Sequence, residues 1–148
     1  MEEIRILGIA PFESIRAAME RVAREEFPEV RFEAYTGDLE EGVKIAQRLV
    51  NENESYDVMI SRGGTAELLK QKLTMPVVEI TFSVYDILRA IKMAENYNSL
   101  YAIVGFPSIT EPAHTLCSLL NFDLDILTVR SAEEVRHTLE RLKQGGYR

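Results

Sequence analysis

The chain has 148 residues, of which 46% are hydrophobic and 28% charged, and its formal net charge is -7. This length suits one ordinary domain or two very small lobes, and the composition is that of a globular protein. The negative charge and the absence of a Lys and Arg cluster exclude an extended nucleic-acid-binding surface. The single cysteine, Cys117, fits a reducing cytosol, and no apolar run approaches membrane-spanning length. We therefore expect a soluble cytoplasmic protein with no direct nucleic-acid or membrane contact.

Strand and helix patterns alternate along the chain. Short apolar runs predict strands over residues 4–9, 58–60 and 77–80, and then over 100–104 and 124–129, and an alternating pattern predicts a strand over 30–35. Apolar residues at helical spacing follow each of the first three predicted strands along the chain. Short apolar strands separated by helices predict an α/β fold whose parallel sheets have helices on both faces.

Three helices are predicted to begin with the same Ser-x-x-acid pattern. It occurs at Ser83 with Asp86, at Ser108 with Glu111 and at Ser131 with Glu134. Each pair has the spacing of a capping box, in which the serine and the acid satisfy free N–H groups of the first turn. With the strand pattern, these starts predict a first lobe over residues 1–83 with four parallel strands. A connecting helix over 84–99 and a partial second lobe over 100–148 then follow, with 96–99 as the likeliest internal boundary.

The most distinctive segment follows the third predicted strand and reads Ser61-Arg62-Gly63-Gly64-Thr65. An apolar run that stops at two glycines before a helical pattern predicts a tight turn leading into a helix N-terminus. Free backbone N–H groups and the helix dipole favour an anion at such a turn. Arg62 adds a planar donor suited to carboxylate or phosphate. In the alternative interpretation, the glycines only let the chain turn and Arg62 is solvated.

Further motifs follow that segment in a fixed order. They are Pro76-Val-Val-Glu79-Ile, Ser83-Val-Tyr85-Asp86-Ile-Leu-Arg89 and Val104-Gly105-Phe106-Pro107-Ser108. Together the motifs resemble the N-terminal sensory domain of the propionate-catabolism activator PrpR and related sigma-54-dependent transcription activators. The resemblance implies chelatase-like or flavodoxin-like lobes with an effector cleft between them. It also implies a metabolite sensor that controls ATPase and DNA-binding domains of the parent protein. The inducer of the propionate activators is a methylcitrate-type tricarboxylate, but related activators differ in effector.

The predicted effector site lies beyond the carboxyl ends of the strands, where parallel sheets bind ligands. We expect a small anionic metabolite there. The candidate ligand-binding residues are Ser61, Arg62, Gly63, Gly64, Thr65, Ser83, Tyr85, Asp86, Phe106 and Ser108.

Several of these residues also have a purely structural interpretation. Ser83, Asp86 and Ser108 suit helix caps, and Phe106 suits a packing role. Asp86 lies three residues before Arg89 on one predicted helix, so an ion pair is expected. Glu79 lies inside an apolar strand, where an unpaired charge is costly, so pairing with Arg62 or another cation is expected.

Nothing in the sequence points to a catalytic residue, a cofactor or a metal. Glu111, His114 and Cys117 are metal-ligand types on one predicted helix, but six residues advance about 9 Å along a helix. Zinc ligands must instead converge to within about 2.0–2.3 Å of one point. We therefore expect a regulatory domain rather than an enzyme. The alternative is a small-molecule enzyme that uses the same Ser-Arg-Gly-Gly loop to bind a phosphate or carboxylate substrate.

The second lobe departs from the family pattern. In the family it continues with further strands, whereas this chain ends at Gln144-Gly-Gly-Tyr-Arg148. A lobe with two strands would leave apolar surface and open sheet edges. The sequence therefore predicts an incomplete second lobe and association into a homodimer through its surfaces.

Overall fold

A computed structural model describes residues 3–52, 55–97 and 99–147. Its contacts divide the chain into two compact units, Met1–Ile80 and Thr81–Arg148. The predicted division instead ends the first lobe at residue 83 and treats 84–99 as a connecting helix. The contacts give that helix to the second unit, because its apolar face packs there. Asn98, part of the predicted boundary over 96–99, lies outside the described residues.

Unit 1 consists of one sheet and the helices that connect its strands. Its elements are β1 (Arg5–Ala10), α1 (Glu13–Glu26), β2 (Arg31–Thr36), α2 (Leu39–Asn51), β3 (Val58–Arg62), α3 (Gly63–Lys72) and β4 (Val77–Ile80). The four strands are parallel and lie in the order β2-β1-β3-β4. The predicted α/β fold with a four-stranded parallel sheet is confirmed.

The core of unit 1 lies on the sheet face that α2 and α3 cover. Leu7, Ile9 and Met59 are fully buried there, together with Val43 of α2 and Leu69 of α3. Each large apolar side chain buried in this way contributes about 1.5–3 kcal/mol to the stability of the fold. This face therefore provides much of the stability that holds the strand ends in place.

The opposite face of the sheet is only partly covered. Helix α1 packs against β1 and β2. Val78 and Ile80 of β4 point to this same face and remain 54% and 38% exposed. The expectation of helices on both faces therefore holds for β1 and β2, whereas β3 and β4 line an open groove beside α1.

Unit 2 contains a smaller parallel sheet. Its elements are α4 (Val84–Ala94), β5 (Ala102–Gly105), α5 (Pro107–Leu120), β6 (Asp125–Thr128) and α6 (Ala132–Gln144). β5 pairs with β6, and an isolated parallel bridge joins Leu100 to Tyr147. A separate core forms where Ile87 and Ile91 of α4 meet Leu116 of α5.

At two of the three predicted capping boxes the serine caps its helix. The side chains of Ser83 and Ser131 accept hydrogen bonds from the backbone N–H groups of Asp86 and Glu134. The prediction that Ser108 caps a helix is wrong. Phe106 occupies the N-cap position of α5 and Pro107 its first helical position. Proline has a fixed φ and no N–H group, so it fits that position well and moves the helix start ahead of Ser108.

Candidate functional site

The junction between β3 and α3 has an unusual backbone. The strand ends at Arg62 and the helix begins at once at Gly63, which has a φ of 58°. That left-handed conformation favours glycine, because a side chain there would strain the backbone. Apart from its chain neighbours and the backbone of its own helix, no atom of the described residues lies within 4 Å of a Cβ built on Gly63. The turn thus presents open space beside the N–H groups of the first turn of α3, which have no partner within the helix.

Arg62 and Ser61 point to opposite faces of the sheet, because side chains alternate along a strand. The Ser61 side chain lies on the core face, is fully buried, and donates a hydrogen bond of 2.6 Å to the carbonyl oxygen of Ile9. The Arg62 side chain lies on the other face, beside Ile60 and Ile80 at the open groove. Of these two neighbours in the sequence, only Arg62 faces the open side of the sheet.

Thr65 connects α3 to the start of α2. Its side-chain oxygen accepts a hydrogen bond of 2.8 Å from the N–H of Leu39 and lies 3.1 Å from Oδ1 of Asp38, to which it donates. Leu39 has a φ of 46°, and the Asp38 side chain makes no capping bond to its own helix. Thr65 therefore satisfies one of the N–H groups that the first turn of α2 leaves without a partner in the helix. Sequence analysis did not identify this role, and Asp38 before a helix is the one local signal for it.

The absence of a side chain at Gly42 lets the start of α2 pack closely against Gly37 and Thr65. A Cβ on Gly42 of α2 would lie 2.6 Å from the carbonyl oxygen of Gly37 and 2.7 Å from Cγ2 of Thr65. Such distances are too short for real Cβ atoms, so α2 approaches the strand ends only because this residue is glycine. The start of α2 is therefore held by both a hydrogen bond and close backbone packing.

Glu13 and Arg16 form an ion pair near the carboxyl end of β1. Arg16 Nε donates to the Glu13 carboxylate at 2.7 Å, and Thr36 at the end of β2 donates to it at 3.0 Å. These hydrogen bonds, above all those from Arg16, lower the pKa of Glu13 from 4.5 to about 2. Glu20 also pairs with Arg16, at 2.7 Å. The positive charge of Arg16 partly offsets carboxylates that would otherwise repel an anion at this end of the sheet.

The candidate residues of α4 form a compact polar group at its N-terminus. Ser83 Oγ donates to the Asp86 carboxylate at 2.8 Å, and Arg89 contacts the same carboxylate at 3.2 Å. The expected ion pair between Asp86 and Arg89 is thus present. Tyr85 is 70% exposed, with the Arg89 guanidinium 6.0 Å from its ring centre. Ser83 and Asp86 act as a helix cap, whereas Tyr85 offers an accessible ring.

The candidate residues of α5 are less accessible. Phe106 is 8% exposed, and its carbonyl oxygen accepts hydrogen bonds from Ile109 and Thr110. Ser108 Oγ is buried, and among the described residues it has no hydrogen-bond partner. A buried hydroxyl without a partner is uncommon in proteins, so Ser108 is the polar side chain here with unused hydrogen-bonding capacity.

Glu79 of β4 is paired, as expected for a carboxylate in an apolar strand. Its partner is Lys70 of α3, with 2.9 Å between Nζ and Oε2. The sequence offered Arg62 or another cation. Glu79 is in register with Ser61, so its side chain lies on the core face, whereas Arg62, the next residue of β3, points to the opposite face.

Comparison with known proteins identifies the family. The family model described as propionate catabolism activator matches residues 27–148. The chain belongs to the propionate catabolism activator family. The sequence-based recognition is therefore confirmed, and the chain is a regulatory domain of a transcription activator.

A solved structure has the same fold. The NtrC family transcriptional regulator from Clostridium acetobutylicum superposes with a TM-score of 0.72 and 22% sequence identity. The match covers 98% of this chain and 75% of the regulator chain. At 22% sequence identity this match supports the fold of the chain and nothing further. Within the described part of the chain, no helix has both the length and the hydropathy needed to cross a membrane.

Proposed function

We propose that this domain is the cytoplasmic effector sensor of a sigma-54-dependent transcription activator and that it binds a small anionic metabolite. The anion binds at the carboxyl end of β3, where Arg62 provides positive charge and Gly63 and Gly64 provide backbone N–H groups. Effector binding then controls the ATPase and DNA-binding domains of the parent protein. The domain itself makes no chemical change to the metabolite.

The observation that carries this proposal is the backbone at Gly63. A strand that passes directly into a helix through a left-handed glycine exposes the helix N-terminus, and the space beside it is open. The helix dipole favours a negative group at that place. The adjacent Arg62 adds a fixed cation able to make two parallel hydrogen bonds to a carboxylate or phosphate.

The other candidate ligand-binding residues are supported less directly than Arg62, Gly63 and Gly64. The side chains of Ser61 and Thr65 are engaged in bonds that hold the strands and helices together. Binding by these two hydroxyls, and by Ser83, Tyr85, Asp86, Phe106 and Ser108, stays a prediction. Ser108 is supported best of the second-unit residues, because its buried hydroxyl has no bond among the described residues.

We also propose that the domain forms a homodimer through unit 2. Leu119, Leu120 and Leu139 are 74%, 47% and 51% exposed. Ala102 and Val104 of β5 also line an open groove beside α6. Exposed apolar side chains of this kind mark protein interaction surfaces when they form a continuous patch.

The sensor and enzyme hypotheses differ in whether the domain chemically converts the ligand that it binds. A thermal-shift screen of small carboxylic acids, phosphates and acyl metabolites identifies binders, because a ligand of the native state stabilises it by RT ln(1+[L]/Kd). Each binder is then incubated with equimolar protein for hours and followed by one-dimensional NMR. Saturable binding without new product resonances supports the sensor. Protein-dependent conversion of a bound ligand supports the enzyme and contradicts the proposal.

A further inference from the structure

An apolar groove of about 580 Å³ opens on the sheet face of unit 1 that α1 leaves uncovered. Its floor is formed by side chains of β1, β3 and β4, and one wall by α1 from Ile15 to Phe27. The floor residues are Ile6, Ile60, Val78 and Ile80. Small-molecule sites in proteins have volumes of about 300–1,000 Å³ and mostly apolar linings with a few polar groups.

A single charged residue lies in this lining. Among the described residues that line the groove, Arg62 carries the charge, and the remainder are apolar. Arg62 is the last residue of β3, so its guanidinium marks the carboxyl end of the sheet, where the proposed anion binds. The same residue therefore belongs both to the proposed anion site and to the apolar groove.

We infer that the effector is an amphipathic acid, with a carboxylate at Arg62 and an apolar body lying in this groove. The inference rests on the proposed function and specifies the chemical class of its ligand. Any charge on the part of a ligand that lies in the groove would be placed against Ile60, Val78 and Ile80, and burying an unpaired charge against apolar groups is costly. A short-chain fatty or aryl carboxylate matches one cation and an apolar floor.

The groove residues are also exposed enough to receive such a body. Val78 and Ile80 are 54% and 38% exposed, and Val22 and Phe27 on the α1 wall are 44% and 52% exposed. A ligand that covers them removes apolar surface from water. Each methylene buried in this way strengthens binding about four-fold, from about 0.8 kcal/mol per group.

The test uses calorimetric titration of the full chain with defined probes. The probes are butanoate, hexanoate and octanoate, with 1-octanol as the uncharged match and citrate as the polar polycarboxylate. We expect affinity to rise about four-fold per methylene along the acid series until the groove is filled. Amide chemical shifts should move at β3, β4 and α1. Citrate should bind more weakly than octanoate.

Variants separate the two ends of the ligand. Arg62→Met keeps an apolar stem and should weaken octanoate binding about 10- to 150-fold with little effect on 1-octanol. Val78→Gln should weaken both about four- to ten-fold, because polar atoms replace groove surface. Val84→Gln is the matched control, since Val84 is 50% exposed and lies outside the groove. The Val84→Gln variant should bind octanoate and 1-octanol with wild-type affinity.

Three results would overturn the inference. If citrate binds in an Arg62-dependent manner and octanoate does not, the groove is not part of the site, while the proposed anion sensor stands. If no anion binds at all, both the inference and the proposed function fail. If sedimentation gives a dimer that Val78→Gln dissociates and octanoate does not, a second copy occupies the groove.

Discussion

Replacing Thr65 with valine tests how the structure holds the strand ends in place. Valine has nearly the same shape but lacks the hydroxyl that bonds to the N–H of Leu39 at 2.8 Å and to Asp38 at 3.1 Å. The side chain is 1% exposed, so water cannot replace the lost partner easily. A donor left without a partner in such a place costs about 1–3 kcal/mol. We therefore expect Thr65→Val to lower the free energy of unfolding by about 2 kcal/mol.

Urea unfolding measures this loss. With a slope of about 2 kcal/mol/M, a 2 kcal/mol loss lowers the midpoint by about 1 M. Amide resonances of unit 1 should be followed, because two units need not unfold together and a single transition is then not defined. Thr74→Val is the matched control in the same unit, since Thr74 is exposed. Its free energy of unfolding should stay within about 0.5 kcal/mol of the wild-type value.

One result would refute the structural role of Thr65. If Thr65→Val unfolds at the wild-type midpoint and binds an effector more weakly, the hydroxyl contacts ligand and does not hold the start of α2. The sequence-based expectation of a ligand-binding Thr65 would then be correct.

Two further predictions concern charge and association. The pKa of Glu13 is lowered to about 2 by hydrogen bonds from Arg16 and Thr36, so its carboxylate stabilises the fold above pH 4.5 and loses that effect as the pH falls towards 2. Thr36→Val should raise the Glu13 pKa towards 4.5 in an NMR titration, and an unchanged value would contradict the hydrogen bond between Thr36 and Glu13. The proposed dimer should weaken at least ten-fold in Leu139→Lys, because burying a lysine in an apolar contact is costly. Sedimentation equilibrium at high micromolar concentration tests this, and a monomeric wild type would contradict the dimer.

Most of the fold of this domain could be predicted from local sequence patterns. The central strands β1 and β3 coincide with short apolar runs, because strands buried in parallel sheets need apolar residues in succession, whereas β2 was predicted from alternation. The caps at Ser83 and Ser131 follow from residue type and spacing alone. Ser108 matched the same spacing, but Pro107 fits the first helical position better. A competing local preference therefore decided where α5 begins.

The candidate site was less predictable because it depends on contacts between distant residues. The bond between Thr65 and Asp38 joins residues 27 positions apart. The choice of Lys70 as the partner of Glu79 depends on how α3 packs beside β4. The third strand was predicted to end at residue 60, whereas β3 extends to Arg62. The opposite orientation of the Ser61 and Arg62 side chains follows from alternation only once both residues are known to lie in the strand.

The most direct test of the account is the affinity of an effector for three forms of the domain. Calorimetric titration with the tightest binder from the screen compares the wild type, Arg62→Ala and Arg62→Lys, each shown to be folded. Arg48→Ala serves as a surface control, since Arg48 is an exposed residue of α2. We expect Arg62→Ala to weaken binding about 10- to 150-fold and Arg62→Lys to recover part of it, since lysine keeps the charge but not the planar fork. Equal affinities for all forms would contradict an anion site at the β3–α3 junction.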